Sequence, residues 1–148
     1  MAVLNDWIIP FVAAFISTLG FAIIYNIHGK NFVVASLCGA FGWMFYLIAD
    51  RLMPSAIIPY FIAGVAVALY SEVAAKIFKS PVTVYLMPGF IPLVPGLTIF
   101  RTMEACLFGD ITAFAEGLVN TLKIGGAISL GLILMSSFFR LLRNTARK

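Results

Sequence analysis

Apolar stretches of about 20 residues, separated by short groups of charged residues, are the dominant pattern along the chain. An α-helix needs about that length to cross a hydrocarbon core of about 30 Å. Residues 57–69, for example, are apolar on every side, whereas membrane strands would alternate apolar and polar positions. The pattern therefore predicts an all-α, integral membrane helical bundle. The five predicted spans lie at residues 7–25, 32–49, 55–75, 81–103 and 117–139, followed by a basic tail at 140–148.

The composition excludes a soluble protein. Hydrophobic residues make up 62% of the chain and charged residues 11%, whereas soluble domains carry about 25% charged residues. Lipid must therefore be the solvent for most of the surface, and one transmembrane domain over residues 1–148 is predicted. The net charge of +4 does not indicate a nucleic-acid partner, because four of the ten basic residues lie in the last nine positions, where a cytoplasmic tail meets anionic lipid.

The charged residues also predict an orientation, because cytoplasmic loops are enriched in Lys and Arg. An outside N-terminus and a cytoplasmic C-terminus place the tail, Lys30, Lys76 and Lys79 on the cytoplasmic side. Asp6 and the acidic loop of residues 104–116 then lie outside. The alternative is an even number of spans with a re-entrant fourth segment, which would leave both ends on the same side.

Small residues four positions apart predict close helix packing, since they let helix backbones approach each other in lipid. The pairs are Ala35 and Gly39, Gly64 and Ala68, and Ala127 and Gly131. No cofactor and no metal site are predicted. Cys38 and Cys106 lack a metal-binding or redox spacing and are expected to be buried, unpaired thiols. His28 is the only histidine and has no nearby Cys, Asp or Glu.

The fourth segment contains three prolines, two of them followed by glycine. They are Pro88-Gly89, Pro92 and Pro95-Gly96. Each proline costs about 3 kcal/mol inside a helix, because it removes a backbone hydrogen bond and clashes with the preceding turn. Broken backbone at membrane depth persists only where protein buries it or where it lines a wet cavity, and transporters hold substrates at such breaks. Residues 88–96 are therefore predicted to be non-helical or sharply broken. They are also predicted to lie on a substrate path, together with Thr98. The alternative is a helix that the prolines kink only to shape its packing.

The sequence Pro-Gly-Phe-Ile-Pro-Leu-Val-Pro-Gly at residues 88–96 resembles the proline-rich signature of the bacterial threonine/serine exporter family. Residues 20–26 resemble the end of the first helix in that family's small membrane module. The order of spans and the chain length also fit that module. The resemblance therefore covers nearly the whole chain, and the proline signature is its specific part.

The resemblance implies a function and partners. The module occurs either as half of one long exporter or as a separate small subunit that works with a larger membrane subunit. Threonine, serine and succinate are substrates attributed to members. The resemblance implies the separate small subunit of a secondary exporter in the bacterial inner membrane, associated with the larger subunit and present in several copies. It implies no particular residue as a ligand of the substrate.

Four further polar residues are candidates for contacts with the substrate or a coupling ion. Arg101 can hold a substrate carboxylate or anchor the helix at the interface, and Glu104 follows it on the same segment. Glu72 is expected to pair with Lys76, four residues on, or to act as a proton relay. Asn26 is expected to cap the first loop or to bond across helices.

Two other classes of function remain open. A membrane enzyme would need a nucleophile–base pair or a carboxylate cluster, and the six scattered acids and one histidine supply none that is obvious. No enzyme activity is therefore expected. A structural or assembly protein would use the same small-residue faces without its own transport path, but it would not need three prolines in one segment.

The predicted orientation is tested by labelling single cysteines introduced at Ala2 or Lys148 in a variant that lacks Cys38 and Cys106. A membrane-impermeant maleimide should label the N-terminal site in intact cells. It should label the C-terminal site only after permeabilisation, because the basic tail faces the cytoplasm. Labelling of both sites from one side would rule out the five-span topology.

Overall fold

The computed structural model describes residues 4–145, and side chains are described for residues 6–142. In this part of the chain all regular structure is helical, so the all-α prediction is confirmed. The helices are α1 (Ile9–Ile24), α2 (Lys30–Leu52), α3 (Ile58–Phe78), α4 (Thr83–Phe90), α5 (Gly96–Leu107) and α6 (Ile111–Thr145), with a π-helical turn (Leu4–Ile8) before α1 and a 3-10 turn (Ile91–Leu93) after α4.

Four helical segments are long and apolar enough to cross a membrane. They are Asp6–Ile24, Lys30–Leu52, Ile58–Phe78 and Ile111–Leu142. A fifth span exists only as a bent pair, in which Thr83–Leu93 and Gly96–Leu107 meet at 53°. The prediction of about five transmembrane segments, one of them broken, is confirmed in this form.

The last helix is longer than the span expected at 117–139. It has 35 residues, begins at Ile111 and continues to Thr145, so it includes the first part of the segment 140–148 that was expected to be a tail. Its early start has a local cause: the Asp110 carboxylate accepts a hydrogen bond from the Ala113 backbone N–H at 3.0 Å. Such a cap satisfies a backbone donor that the first helical turn leaves free. Residues 146–148 lie outside the described residues.

Helices α1 and α2 form an antiparallel pair. Arg51, near the end of α2, pairs with Asp6 at 3.3 Å and places its guanidinium 4.4 Å from the centre of the Trp7 ring. We call the end of the bundle that holds this cluster the outer end, and the opposite end the inner end. Nearer the middle, Gly39 lies directly against Thr18, so the missing side chain lets the two helices approach closely.

Helices α3 and α6 pack backbone against backbone. A Cβ atom on Gly131 would lie 2.5 Å from the Phe61 carbonyl oxygen and 2.9 Å from the Val65 nitrogen. A Cβ atom on Gly64 would lie 2.8 Å from the Ile128 carbonyl oxygen. These glycines belong to two of the small-residue pairs identified from the sequence, and their contact lets α3 and α6 approach each other in the way expected in lipid.

The same two helices run in the same direction. Gly64 meets Ile128, and further along both helices the Lys76 ammonium lies 4.7 Å from the centre of the Phe139 ring. The chain between α3 and α6 must therefore return from the inner end to the outer end. It does so through α4, the 3-10 turn and α5, so the segment does not double back as a re-entrant loop would. The two ends of the described chain consequently lie at opposite ends of the bundle.

Helix α5 packs against the first part of α6 as a helical hairpin, in which Thr102 lies against Gly117. The side chains at its tip are largely exposed: Leu107 by 85%, Phe108 by 82% and Ile111 by 80%. Cys106, which was expected to be buried, is exposed, because α6 is the one helix that covers α5 extensively. Cys38 is buried in α2 and unpaired, as expected.

The α3–α6 contact predicts different outcomes for two glycines of α6. Gly131→Ala should lower stability by about 1–3 kcal/mol, because backbone atoms of α3 cannot yield to the new methyl group. Gly126→Ala is the matched control: open space surrounds that position, and alanine improves helix propensity by about 1 kcal/mol. Thermal unfolding in detergent measures both. Equal midpoints for the two variants would contradict the contact.

Candidate substrate path

The break in the fourth segment is narrower than the predicted range of 88–96. Pro88 and Gly89 remain inside α4. The Pro88 carbonyl, which cannot bond to the absent N–H of Pro92, accepts instead from the Ile91 N–H, and this shorter bond begins the 3-10 turn. The helix ends only at Val94, which is extended with ψ 128°. The interruption predicted from the prolines is therefore present, but it is confined to residues 91–95.

Beyond the break, the chain restarts as α5 with its first turn open. Pro95 adopts φ −76° and ψ 62°, and no side chain caps the new helix. The Gly96 N–H turns back to the Val94 carbonyl at 2.7 Å, and the Ile99 N–H bonds to the Pro95 carbonyl at 3.0 Å. The start of α5 therefore presents the partial positive charge of a helix N-terminus beside the break.

The first half of the segment is held firmly by α2. Gly89 faces Cys38, and a Cβ atom on this glycine would lie 2.6 Å from the Cys38 sulfur. Near the inner end, the fully buried Tyr85 donates a hydrogen bond to Asn31 Oδ1 at 2.7 Å. The Asn31 amide in turn donates to the Ser80 hydroxyl at 2.9 Å. This network fixes α4, so the break separates an anchored half from a more exposed half.

Two clefts open beside the break. The first, of about 380 Å³, lies between α1, α2 and the 3-10 turn. It is lined by Pro10, Ala13, Ala14, Ser17, Trp43, Leu47 and Pro92. Its walls are mainly apolar. Of the residues predicted to line the substrate path, it contains Pro92.

The second cleft, of about 300 Å³, lies between α5 and α6 and is more polar. It brings Thr98 and Arg101 together with Asn120, a residue that the sequence analysis did not identify. Thr102 supports its wall by donating to the Thr98 carbonyl at 2.7 Å. Arg101 and Asn120 are exposed, so their polar groups remain available to a ligand. Arg101 offers a cation with several donors that suit a carboxylate.

The other candidates lie elsewhere. Glu104 is exposed on α5, outside the polar cleft. Asn26 follows α1 and adopts a left-handed conformation with φ 57°, which asparagine tolerates better than most residues. It lines a separate cleft with His28. Glu72 is buried in α3, and the expected salt bridge with Lys76 is wrong: the Lys76 ammonium lies over the Phe139 ring instead.

Three residues of the anchoring network were missed from the sequence, namely Asn31, Tyr85 and Ser80. Asn31 and Tyr85 stand near the inner ends of the second and fourth predicted spans, so their common depth is a signal that could have paired them. The sequence gives no comparable signal for Asn120, because its position opposite Arg101 depends on the bend between α4 and α5.

Comparison with known families decides the identity. The family described as Threonine/Serine exporter, ThrE, matches residues 10–138. The chain belongs to the threonine/serine exporter family. The match extends from α1 into α6 and includes the whole broken segment, which agrees with the resemblance noted in residues 88–96. Among curated proteins and solved structures, none matches the chain. Membership gives the chain a transport role of the threonine/serine exporter type in a multi-pass membrane protein.

The anchoring network of this exporter-family chain makes a stability prediction. Tyr85→Phe should destabilise the protein by about 1 kcal/mol, because it removes the hydrogen bond to Asn31 inside the bundle. Tyr25→Phe is the control, since Tyr25 is exposed in the first loop. Chemical unfolding in mixed micelles compares the two variants. A Tyr85→Phe protein as stable as the control would show that the network does not hold α4.

Proposed function

We propose that this chain is the small membrane subunit of a secondary exporter for threonine, serine or a small dicarboxylate such as succinate, and that the α4–α5 break lies on the substrate path. The observation that carries the proposal is the 53° break followed directly by the Thr98–Arg101–Asn120 cleft. The family match supports a transporter rather than an enzyme.

The electrostatics of the break suit a small anion or zwitterion. The start of α5 is partially positive, and Arg101 adds a full charge one turn further on. Together they favour a carboxylate near Thr98. The Pro88 and Ile91 carbonyls, which lose the donors of Pro92 and Pro95, accept shorter bonds from the Ile91 and Val94 N–H groups. Each carbonyl keeps a second lone pair that suits a substrate ammonium group. A large apolar substrate would gain nothing from these groups.

The exposed surface of the α5–α6 hairpin is an argument for a partner subunit. α6 is about 52 Å long at 1.5 Å per residue, whereas the hydrocarbon core is about 30 Å thick. Its first part therefore extends from the packed bundle together with α5. The hairpin exposes large apolar side chains at its tip beside charged residues such as Glu104, Asp110 and Glu116. We propose that the larger membrane subunit covers this mixed surface.

The packed interior also favours an assembly. The buried residues of α1, α2 and α3 are mostly alanine, glycine and other small or apolar residues, which fill the space between the helices. A polar route therefore suits the surface of the chain beside α5, where the larger subunit or further copies of this chain would complete its walls. The proposed setting is the bacterial inner membrane, with the outer end of the bundle facing outside.

A flux assay tests this proposal. Threonine, serine and succinate fluxes are measured in proteoliposomes that contain this chain with the larger subunit, or this chain alone. Flux is expected only from the complex. Pro92→Ala with Pro95→Ala should abolish it while leaving membrane insertion unchanged, because the restored amides allow a continuous helix. Pro54→Ala, in the exposed α2–α3 loop, is the matched control.

Three results would count against the proposal. Transport by the chain as a purified monomer would remove the need for a partner. Normal flux from the double proline variant would remove the break from the path. A complex that assembles but carries none of the three substrates would favour a structural or assembly role.

A further inference from the structure

Glu72 carries a carboxyl group that is buried in the helix bundle toward its inner end. Its side chain is 4% exposed, and it lies in α3, about 9 Å from the inner end of that helix at 1.5 Å per residue. Within residues 6–142 the one ion pair is formed by Arg51 and Asp6, and no hydrogen bond reaches the Glu72 carboxyl group. Among these residues, every side-chain oxygen or nitrogen that is fully enclosed has a hydrogen-bond partner. The Glu72 oxygens have none, so they are not fully enclosed and keep a small accessible surface.

The helical repeat shows where Glu72 points. Residues at intervals of four lie along one stripe of a helix, so Glu72 shares its stripe with Gly64 and Lys76. Both of these contact α6, at Ile128 and at Phe139. The Glu72 side chain therefore faces α6 between those two contacts.

The nearest cation to Glu72 along α3 is Lys76, and Lys79 follows at the end of the helix. Between Ile128 and Phe139, α6 carries no titratable residue, and Arg140 beyond it is exposed. Helix α4 carries no charged residue, and the charged residues of α2 lie at its two ends, with Lys30 at the inner end and Asp50 and Arg51 at the outer end. The other titratable side chains of this region are Tyr70 on α3, Cys38 on α2 and Tyr85 on α4. Lys76 is four residues away on α3, at the spacing that allows a salt bridge.

We propose that Glu72 is the proton-binding site that couples export to a proton gradient, an inference that rests on the proposed export function. The acid is uncharged when its proton is bound, and Lys76 then rests on the Phe139 ring, as in the structure. When the proton leaves to water, the buried carboxylate requires a cation, because an unpaired buried charge is strongly disfavoured. Lys76 then turns to Glu72 and leaves Phe139.

This exchange links protonation to helix packing. The contact of Lys76 with Phe139 joins α3 to α6 at the inner end, whereas the glycine contacts join them nearer the outer end. Loss of the inner contact frees that end of α6, while the outer contacts still hold. Because α6 also forms one wall of the polar cleft through Asn120, a change in its tilt reaches the proposed path. One O–H bond breaks and reforms in each cycle, and water supplies and accepts the proton.

The test measures transport driven by a proton gradient separately from substrate exchange, which needs no gradient. Inside-out vesicles carrying the full complex are assayed for transport of threonine, serine and succinate driven by a pH gradient and for exchange of the transported substrate without a gradient. Glu72→Gln should reduce gradient-driven transport by about tenfold or more, a usual size for coupling between two sites, and should keep exchange. Glu72→Asp should restore part of the driven transport. Asp50→Asn, which neutralises an exposed acid at the outer end of α2, should behave as the wild type.

A second readout does not depend on transport. Infrared difference spectra of the purified chain in nanodiscs, recorded across a pH titration, should show a buried carboxylic acid band that Glu72→Gln removes and Asp50→Asn keeps. Gradient-driven transport by Glu72→Gln at the wild-type rate, or an unchanged infrared band, would overturn the assignment. A wild-type complex that neither drives nor exchanges threonine, serine or succinate would overturn the proposed function instead, and the infrared band would still decide whether Glu72 binds a proton.

Discussion

The direct backbone contact between α3 and α6 is the constraint on which the rest of the structure depends. Gly64 and Gly131 let the two helices meet without intervening side chains, and the contact of Lys76 with Phe139 further along shows that they run in the same direction. Two consecutive long helices that run in the same direction require the chain between them, residues 79–110, to return across the bundle, so α4 and α5 act together as a span. Lipid provides no hydrophobic force that would bring helices together, which leaves close van der Waals packing of this kind as a main source of association.

The crossing segment satisfies this requirement despite its prolines. α4 is held against α2 by Gly89 and by the buried Tyr85 hydroxyl, so its backbone stays helical through Pro88. The carbonyl groups that lose the N–H donors of Pro92 and Pro95 then accept shorter backbone hydrogen bonds from Ile91 and Val94. The remaining irregularity is concentrated in one bend, where the chain passes from an anchored helix to an exposed one. A polar ligand would meet the uncapped start of α5 and Arg101 at that point, which is why the proposed path lies there.

The sequence predicted the class, the number of segments and the broken span because these follow from composition and from local backbone chemistry. Apolar length dictates spanning helices, and proline disrupts a helix wherever it stands. The extent of the break was overestimated, since the packing of Gly89 against Cys38 keeps α4 regular. The helix that contains the last predicted span begins before it, at Ile111, and apolar length does not reveal a cap such as Asp110. The exposure of Cys106 was missed, because an apolar stretch does not show which neighbours cover it.

By itself, then, the sequence determined an all-α membrane bundle, its interrupted fourth segment and its resemblance to an exporter family, all of which reside in residues that are close along the chain. Only the tertiary structure decided which distant residues meet. Glu72 and Lys76 have the spacing of a salt bridge, but the Phe139 ring holds the Lys76 ammonium. Arg101 and Asn120 line one cleft because of a 53° bend that no periodicity contains. Such contacts depend on helix directions and crossing points, which are set by packing between whole helices and not by any one segment.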